Sequence, residues 1–171
     1  LEFRRVLFRS LLLEGPVGVG KTHLALSVTG SLGRPVFRID GDSRYSEQKL
    51  SGWFDPPQVL RNGYTAKTFV AGPLVEAMRA GGVLFINELN RLPEGVQNIL
   101  LPAIDERVVV VPRLGEIRAH AGFCVIATQN PSEQLGTHPL PESQLDRFAM
   151  RLSLGYPSRQ AEYALLLGDR S

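Results

Sequence analysis

Cysteine is nearly absent from this sequence, which rules out a fold built on disulfides. The 171 residues include one cysteine, Cys124, so no intramolecular disulfide can form. Such usage fits a reducing compartment, and we expect a cytoplasmic location. Histidine is scarce as well. His23, His120 and His138 do not have the spacing of metal ligands, so we expect no zinc site.

Long apolar runs are also lacking, although 43% of the residues are apolar and 21% are charged. No run approaches the ~20 apolar residues that a membrane-spanning helix needs. The composition is that of an ordinary globular domain with a core of its own. We therefore expect one soluble domain without a membrane partner.

A strong charge of either sign is missing too. The formal net charge is +2, and the first ten residues, LEFRRVLFRS, account for it with three arginines and one glutamate. Without these ten residues, the totals of 19 basic and 17 acidic side chains fall to 16 of each. A neutral remainder does not attract phosphate backbones, so nucleic acid is not an expected partner.

The two ends of the chain stand apart from the rest. The opening residues resemble the translation of a sequencing-library adapter, and we interpret residues 1–10 as a non-native tail. A basic arm on nucleic acid or a short signal are the alternatives, although a long apolar segment and a cleavage site are missing. Ser158 to Leu167 is predicted to begin a helix. We expect a core over residues 11–157 and the start of a truncated lid domain over 158–171.

Glycine, in contrast, is plentiful where chemistry is expected. Gly15 to Thr22 reads GPVGVGKT, the G-x-x-x-x-G-K-T pattern of a phosphate-binding loop. The apolar run Leu11–Leu13 predicts a buried strand before it, and Lys21–Leu32 predicts a helix after it with Leu24, Val28 and Leu32 facing inward. The alternative is a glycine-rich turn with an unrelated lysine.

The chemistry of such a loop assigns a role to each type of residue in it. Glycines permit a tight turn whose N–H groups, with the helix N-terminus, face phosphates. Lys21 is predicted to reach the β- and γ-phosphates, and the Thr22 hydroxyl to ligate Mg²⁺. The predicted nucleotide-binding set is Gly15, Pro16, Val17, Gly18, Val19, Gly20, Lys21 and Thr22.

An acidic residue follows a second apolar strand. Val83 to Arg91 reads VLFINELNR, which has the form of a Walker B strand. Glu88 is predicted to orient or deprotonate the attacking water, and its alternative is a solvated carboxylate at a strand end. The preceding position is normally Asp, which helps to hold the Mg²⁺ shell. Asn87 stands there instead and keeps an amide oxygen but no charge.

Two further polar residues are candidates for catalysis. Asn130 follows the predicted strand Phe123–Ala127 and is expected between the phosphates and the water, although Asn before Pro is also a common turn former. Arg147 lies at the end of the predicted short helix Glu142–Phe148. It is a candidate arginine finger for a neighbouring subunit's nucleotide, with pairing to Asp146 or a surface carboxylate as the alternative.

The remaining pattern alternates strands and helices, which predicts an α/β fold with a parallel sheet and helices on both faces. In such a sheet, ligands bind at the carboxyl ends of the strands. Pro102 is expected to kink or shorten the helix that contains it. The other predicted elements are strands at Pro35–Asp40 and Met150–Leu154, helices at Gly72–Ala80 and Glu94–Glu106, and a hairpin of Val108–Val111 with Glu116–Ala119.

These motifs together resemble the MoxR-type AAA+ ATPases from about Leu11 to Leu167. The segments GPVGVGKT, NELNRLPEGVQNILLPAIDER, IATQNPSEQLGTHPLPESQLDRF and LGYPS carry the resemblance in unbroken order. It implies a P-loop NTPase αβα sandwich with a five-stranded sheet, an insertion at Gly52–Phe69 and a hairpin at Val108–Ala119. It makes Asn130 sensor 1 and Arg147 the arginine finger.

The same resemblance implies a function. Members hydrolyse ATP with Mg²⁺, form hexameric rings, act as chaperone-like remodelers, and often partner proteins with a von Willebrand A domain. Three rivals stay open: a nucleotide-gated scaffold that Asn87 has slowed, a magnesium-chelatase-type motor subunit, and a DNA motor, which the neutral core disfavours.

Overall fold

A computed structural model describes residues 9–130, 138, 140–159, 161 and 163. Its strands are β1 Ser10–Glu14, β2 Val36–Asp40, β3 Gly52–Phe54, β4 Phe69–Ala71, β5 Val83–Asn87, β6 Val108–Val111, β7 Gly115–Arg118, β8 Cys124–Gln129 and β9 Met150–Ser153. Its helices are α1 Lys21–Ser31, α2 Glu47–Ser51, α3 Pro56–Asn62, α4 Pro73–Ala80, α5 Glu94–Asp105 and α6 Glu142–Leu145, with a 3-10 turn at Leu89–Arg91.

Five strands form the central sheet in the order β2-β5-β8-β1-β9, and every neighbouring pair is parallel. All six residues of β8 and the first four of β5 are buried, as expected for strands covered on both faces. The helices α1 on one face and α4 and α5 on the other provide that cover. The predicted five-stranded α/β fold is therefore confirmed.

Alternate residues of each strand enter two separate apolar clusters. The larger cluster joins Leu84, Ile86 and Val125 of the sheet to α4 and α5. The smaller one joins Phe85 and Ile126 to α1. The sheet is thus the middle layer of an αβα sandwich, and α1 is rigidly seated on the strands that bring the polar tips together.

The rotation of α1 differs from the prediction. Leu24 and Leu32 were expected to face inward, but they are 39% and 38% exposed. The helix instead buries Lys21, Ala25 and Thr29. Lys21 faces the loop that precedes α1, and residues four and eight positions later then share its face. Of the three predicted inward residues, only Val28 packs against the smaller cluster.

The segment between α2 and α4 is an insertion built on a strand pair. β3 and β4 are antiparallel, with Gly52 opposite Ala71 and Phe54 opposite Phe69, and α3 lies between them. The predicted hairpin is also present, as β6 and β7. Both lie outside the central sheet and leave its order undisturbed.

Several predicted boundaries shift. The first strand begins at Ser10, one residue before the predicted apolar run Leu11–Leu13, because the Ser10 backbone continues β1 beside β8. Pro102 does not shorten α5, since proline there removes one hydrogen bond close to the C-terminal end. α6 ends at Leu145 instead of Phe148. Residues 1–8 and most of the predicted helix Ser158–Leu167 lie outside the described residues.

None of the helices within the described ranges is both long enough and apolar enough to cross a membrane.

Candidate nucleotide-binding site

The predicted site residues come from three neighbouring strands of the sheet. The glycine loop follows β1, Asn87 and Glu88 stand at the end of β5, and Asn130 follows β8. Parallel strands bring their carboxyl ends to one edge. That edge therefore collects the loop, two carboxamides and a carboxylate.

The glycine loop is tight on one side and open on the other. Gly18 and Gly20 have φ values of 86° and 88°, which favour glycine, and a Cβ at either would meet nothing within 4 Å. A Cβ at Gly15 would lie 2.2 Å from the carbonyl oxygen of Leu154. The loop thus rests on the segment after β9 and leaves its opposite side free for a ligand.

The N-terminus of α1 adds hydrogen-bond donors to the open side. Its N-cap is Gly20, which has no side chain to accept from the first N–H groups, and the first turn has no acidic residue. Free N–H groups and the helix dipole favour an anion at such an end. This arrangement fits a phosphate.

Lys21 is buried, at 8% exposure, and its Nζ donates to the carbonyl oxygens of Gly15 and Pro16 at 2.6 Å each. Burial lowers the pKa of this lysine, and the nearby Glu88 carboxylate opposes the shift. The ammonium group is therefore held at the loop by carbonyl oxygens, within the field of one carboxylate.

Thr22, Asn87 and Thr128 form a small hydrogen-bonded group. The hydroxyls of Thr22 and Thr128 both donate to Asn87 Oδ1, at 2.9 and 3.1 Å. Because the Thr22 proton is used in this way, its oxygen lone pairs remain free for a cation. Oxygen donors are those that Mg²⁺ prefers, so Thr22 fits the predicted metal role, with Asn87 beside it.

Glu88 has an unusual backbone and two side-chain partners. Its φ and ψ are 56° and 59°, a left-handed conformation that is uncommon for a residue with a side chain. Its N–H donates to the Thr128 hydroxyl at 3.0 Å, which supports this turn. Arg91 Nη1 donates to its Oε2 at 2.9 Å, and Asn130 Nδ2 lies 3.4 Å from its Oε1.

Asn130 is 9% exposed. The sequence suggested either a catalytic residue or a turn former at this position, and the contacts of Asn130 fit both. Its backbone carbonyl accepts from Asn90 Nδ2 at 2.9 Å, which anchors the turn. Its side-chain nitrogen faces Glu88, while its Oδ1 has no hydrogen-bond partner among the described residues. A buried acceptor atom without a hydrogen-bond partner among the described residues therefore lies next to the carboxylate that is predicted to handle water.

Arg147 is not joined to this group by any contact between described residues. Its Nη1 lies 3.8 Å from Asp105 Oδ2 at the end of α5, and its side chain is 37% exposed. The partner is a surface carboxylate rather than Asp146, the other alternative that the sequence offered. The structure brings Lys21, Thr22, Asn87, Glu88 and Asn130 together and leaves Arg147 apart.

Three residues of the site were missed in the sequence. Asp40 Oδ1 accepts from Asn87 Nδ2 at 3.1 Å, Thr128 bonds both Asn87 and Glu88, and Arg91 pairs with Glu88. Asp40 and Thr128 had the same signal as Asn87, namely a polar residue at the end of a predicted strand. Arg91 had only its spacing of three residues from Glu88.

Comparison with known proteins agrees with this geometry. A family model of AAA domains (dynein-related subfamily) matches residues 10–148. The chain is 36% identical over 161 residues to the uncharacterized protein YeaC of Bacillus subtilis, covering 91% of this chain and 46% of that protein. It is 33% identical over 156 residues to the chaperone MoxR1 of Mycobacterium tuberculosis, covering 91% and 39%.

A solved structure is similar as well. A candidate ATPase from Cytophaga hutchinsonii aligns with a TM-score of 0.67 and 28% identity, covering 95% of this chain and 47% of its own. The chain spans about half the length of the relatives it matches. With the phosphate loop, the strand order and these matches together, this chain belongs to the AAA domain family and, within it, to the MoxR-type AAA+ ATPases.

Proposed function

We propose that this domain binds ATP with Mg²⁺ and hydrolyses it, and that the full-length protein uses the cycle to remodel partner protein complexes. The observation that carries the proposal is the set of groups around the open glycine loop. Lys21 supplies a cation, Thr22 a free hydroxyl oxygen, and Glu88 a carboxylate within reach of Asn130. Phosphoryl transfer to water uses such a combination of groups.

Each residue has a defined task in this proposal. The loop N–H groups and Lys21 hold the phosphates, and Glu88 takes up the proton of the attacking water. Asn130 Nδ2 keeps Glu88 in place, and its free Oδ1 can accept from that water. When bound, Mg²⁺ would neutralise charge on the phosphate oxygens. Thr22 and Asn87 are the residues that would hold it.

The action on partners and the assembly are inferred from relatives. MoxR1 is named a chaperone, and another relative, from Ancylobacter aquaticus, a gas vesicle ATPase. From the resemblance to MoxR-type ATPases we further propose a hexameric ring in which Arg147 serves a neighbour's nucleotide, and a partner protein with a von Willebrand A domain. A cytoplasmic location stays a prediction from the single cysteine.

One observation favours a second candidate, a nucleotide-gated scaffold with weak hydrolysis. Both acceptor positions of Asn87 Oδ1 are used by hydroxyl groups. Contact with a metal-bound water would need one of these bonds to be given up. A steady-state phosphate-release assay on the full-length protein separates the two, because the scaffold binds ATP but releases little phosphate.

Substitution of Lys21 tests the binding site itself. Lys21→Ala removes the buried cation, so ATP affinity in calorimetry should fall at least tenfold, the loss of about 1.4 kcal/mol of binding free energy. Lys67→Ala removes an exposed lysine of the insertion and should leave the affinity unchanged. ATP binding at wild-type affinity by Lys21→Ala would remove the phosphate-loop assignment.

A further inference from the structure

Two strand tips on the same face of the sheet carry polar residues that touch. Asp40 ends β2 and Asn87 ends β5, and the two are Cα partners in the parallel register. Since side chains alternate along a strand, they share the face that bears Phe85 and α1. Asn87 Nδ2 donates to Asp40 Oδ1 at 3.1 Å.

The neighbours of Asn87 determine which way its amide points. Its oxygen accepts from the hydroxyls of Thr22 and Thr128, and its nitrogen donates to a carboxylate. The reverse orientation would place the amide oxygen against the Asp40 carboxylate. The amide is thus a fixed link with Thr22 at one end and Asp40 at the other.

The Asp40 carboxylate is held in place and open to water. Arg38 Nε and Nη2 donate to it at 2.7 to 3.2 Å. Its Oδ1 is shared by Arg38 and Asn87, whereas its Oδ2 accepts from Arg38 Nε alone among the described residues. The side chain is 57% exposed and borders a cleft of about 630 Å³.

The residues predicted to hold Mg²⁺ have no negative charge of their own. Thr22 and Asn87 are neutral, and the Glu88 carboxylate, which contacts Arg91 and Asn130, has no hydrogen bond to Thr22 or Asn87 among the described residues. Mg²⁺ is bound in proteins through one or two carboxylates and keeps several waters, which outer groups can hold. The Asp40 carboxylate is hydrogen-bonded to Asn87, one member of this neutral pair.

We infer that Asp40 supplies the negative charge of the Mg²⁺ site that Asn87 lacks. It is a positioning residue, which acts through its hydrogen bond to Asn87 and offers Oδ2 to the hydration shell. The inference rests on the proposed function, because it assigns a part of the same nucleotide site. It also explains why an uncharged residue is compatible with Mg²⁺ at the position where a carboxylate is usual.

The test measures binding instead of turnover. For each variant of the full-length protein, ATP affinity is determined by calorimetry with Mg²⁺ and again with a chelator, and the ratio of the two is taken. Asp40→Asn should lower this ratio about three- to tenfold, since one partly screened charge is lost near a divalent ion. Asp42→Asn is the matched control, because Asp42 is partly exposed and its carboxylate is hydrogen-bonded to Arg44 alone among the described residues.

A second background distinguishes an electrostatic role from a structural one. Asn87→Asp places a carboxylate at the site itself, so the Mg²⁺ site no longer depends on Asp40 for its negative charge. Asp40→Asn should therefore lower the Mg²⁺ ratio by a smaller factor in this background than in the parent. An equal fold loss in both backgrounds would indicate a general loss of structure, and would overturn the inference.

The remaining outcomes separate the two proposals. If Asp40→Asn keeps the parental ratio, the inference fails while the proposed function stands. If the parent protein does not bind ATP with or without Mg²⁺, the proposed function fails and takes the inference with it. Melting temperatures within a degree or two of the parent would show that the variants are folded.

Discussion

At the scale of single residues, the site places opposite charges near each other in a partly buried edge. Burial disfavours the Lys21 ammonium, and the Glu88 carboxylate favours it. Glu88 is itself held by Arg91, whose pKa this ion pair raises. Each charged group is therefore stabilised by a neighbour of opposite charge. We expect replacement of one charged group by a neutral isostere to affect the chemistry more than the fold.

Glu88→Gln separates binding from hydrolysis. The substitution keeps the shape of the side chain but removes its capacity to take up a proton, so the protein should bind ATP while phosphate release falls about 10²- to 10⁴-fold. Single-turnover and steady-state assays measure this loss. Glu116→Gln changes an exposed carboxylate of β7 paired with Arg118 and should hydrolyse ATP normally. Parental turnover by Glu88→Gln would exclude Glu88 as the proton acceptor.

At the scale of secondary-structure elements, the site depends on the close approach of β2 to β5. Gly41 follows β2 directly, and its N–H donates to the Asn87 carbonyl at 2.7 Å. A Cβ at Gly41 would lie 2.0 Å from the carbonyl oxygen of Glu88 and 3.1 Å from Arg91 Cβ. Glycine is needed here because of the neighbouring backbone.

Substitution of this glycine should disturb stability and chemistry together. Gly41→Ala forces β2 and β5 apart, which should cost about 1–3 kcal/mol of unfolding free energy and reduce hydrolysis. Gly30→Ala in α1 meets nothing within 4 Å and should stabilise by about 0.5–1 kcal/mol. Denaturant unfolding measures both. Equal stability of the two variants would contradict the close contact.

A buried cysteine in β8 should make the free energy of unfolding depend on pH. Cys124 is 5% exposed, and burial raises the pKa of its thiol. Above the ordinary thiol pKa of about 8.5, the unfolded chain loses the proton first, so the free energy of unfolding should decrease as pH rises. The slope from this group is at most about 1.4 kcal/mol per pH unit.

Cys124→Ala should lack this component. Unfolding in urea with a reductant, between pH 7.5 and 9.5, gives the slope for both proteins, and the titration of all other groups cancels in the difference. Identical slopes would show that the thiol has the same pKa in the folded and unfolded states. That result would contradict the expected effect of burial in β8.

At the scale of the whole molecule, Arg147 is the predicted catalytic residue that lies away from the nucleotide site of its own chain. It follows α6 and lies near Asp105 of α5, where it is more than a third exposed. An exposed arginine is free to meet a second subunit. Its proposed role therefore depends on assembly.

Mixed rings test that role. In the full-length protein, Arg147→Ala should keep ATP binding and lose most hydrolysis, since arginine fingers are worth roughly 10³–10⁵ in rate in GTPases. Asp105→Asn removes only the partner within the chain and should retain activity. A mixture of Arg147→Ala with Glu88→Gln should regain part of the turnover, because some interfaces would pair an intact Glu88 with an intact Arg147. Mixed rings without activity would exclude action in trans.

Local signals were enough to predict much of this molecule. The phosphate loop, the strand that ends in Glu88 and the short apolar strands follow from patterns of a few residues, because buried parallel strands and glycine turns have strict local requirements. The parallel order then placed the strand ends at one edge. The prediction that Lys21, Thr22, Asn87, Glu88 and Asn130 lie at one edge of the sheet was made in this way.

The remaining features depend on contacts that no local pattern encodes. The position of Lys21 against the loop sets the rotation of α1. Leu24 and Leu32 are therefore exposed, although their spacing predicted burial. Register between β2 and β5 sets Asp40 beside Asn87, and only an oligomer can decide what Arg147 meets. The sequence by itself determined the elements and the chemistry of the loop, because short-range sterics and hydrophobic pattern control them. Tertiary structure decided which polar groups share a hydrogen bond, because that depends on strand register across 47 residues of chain.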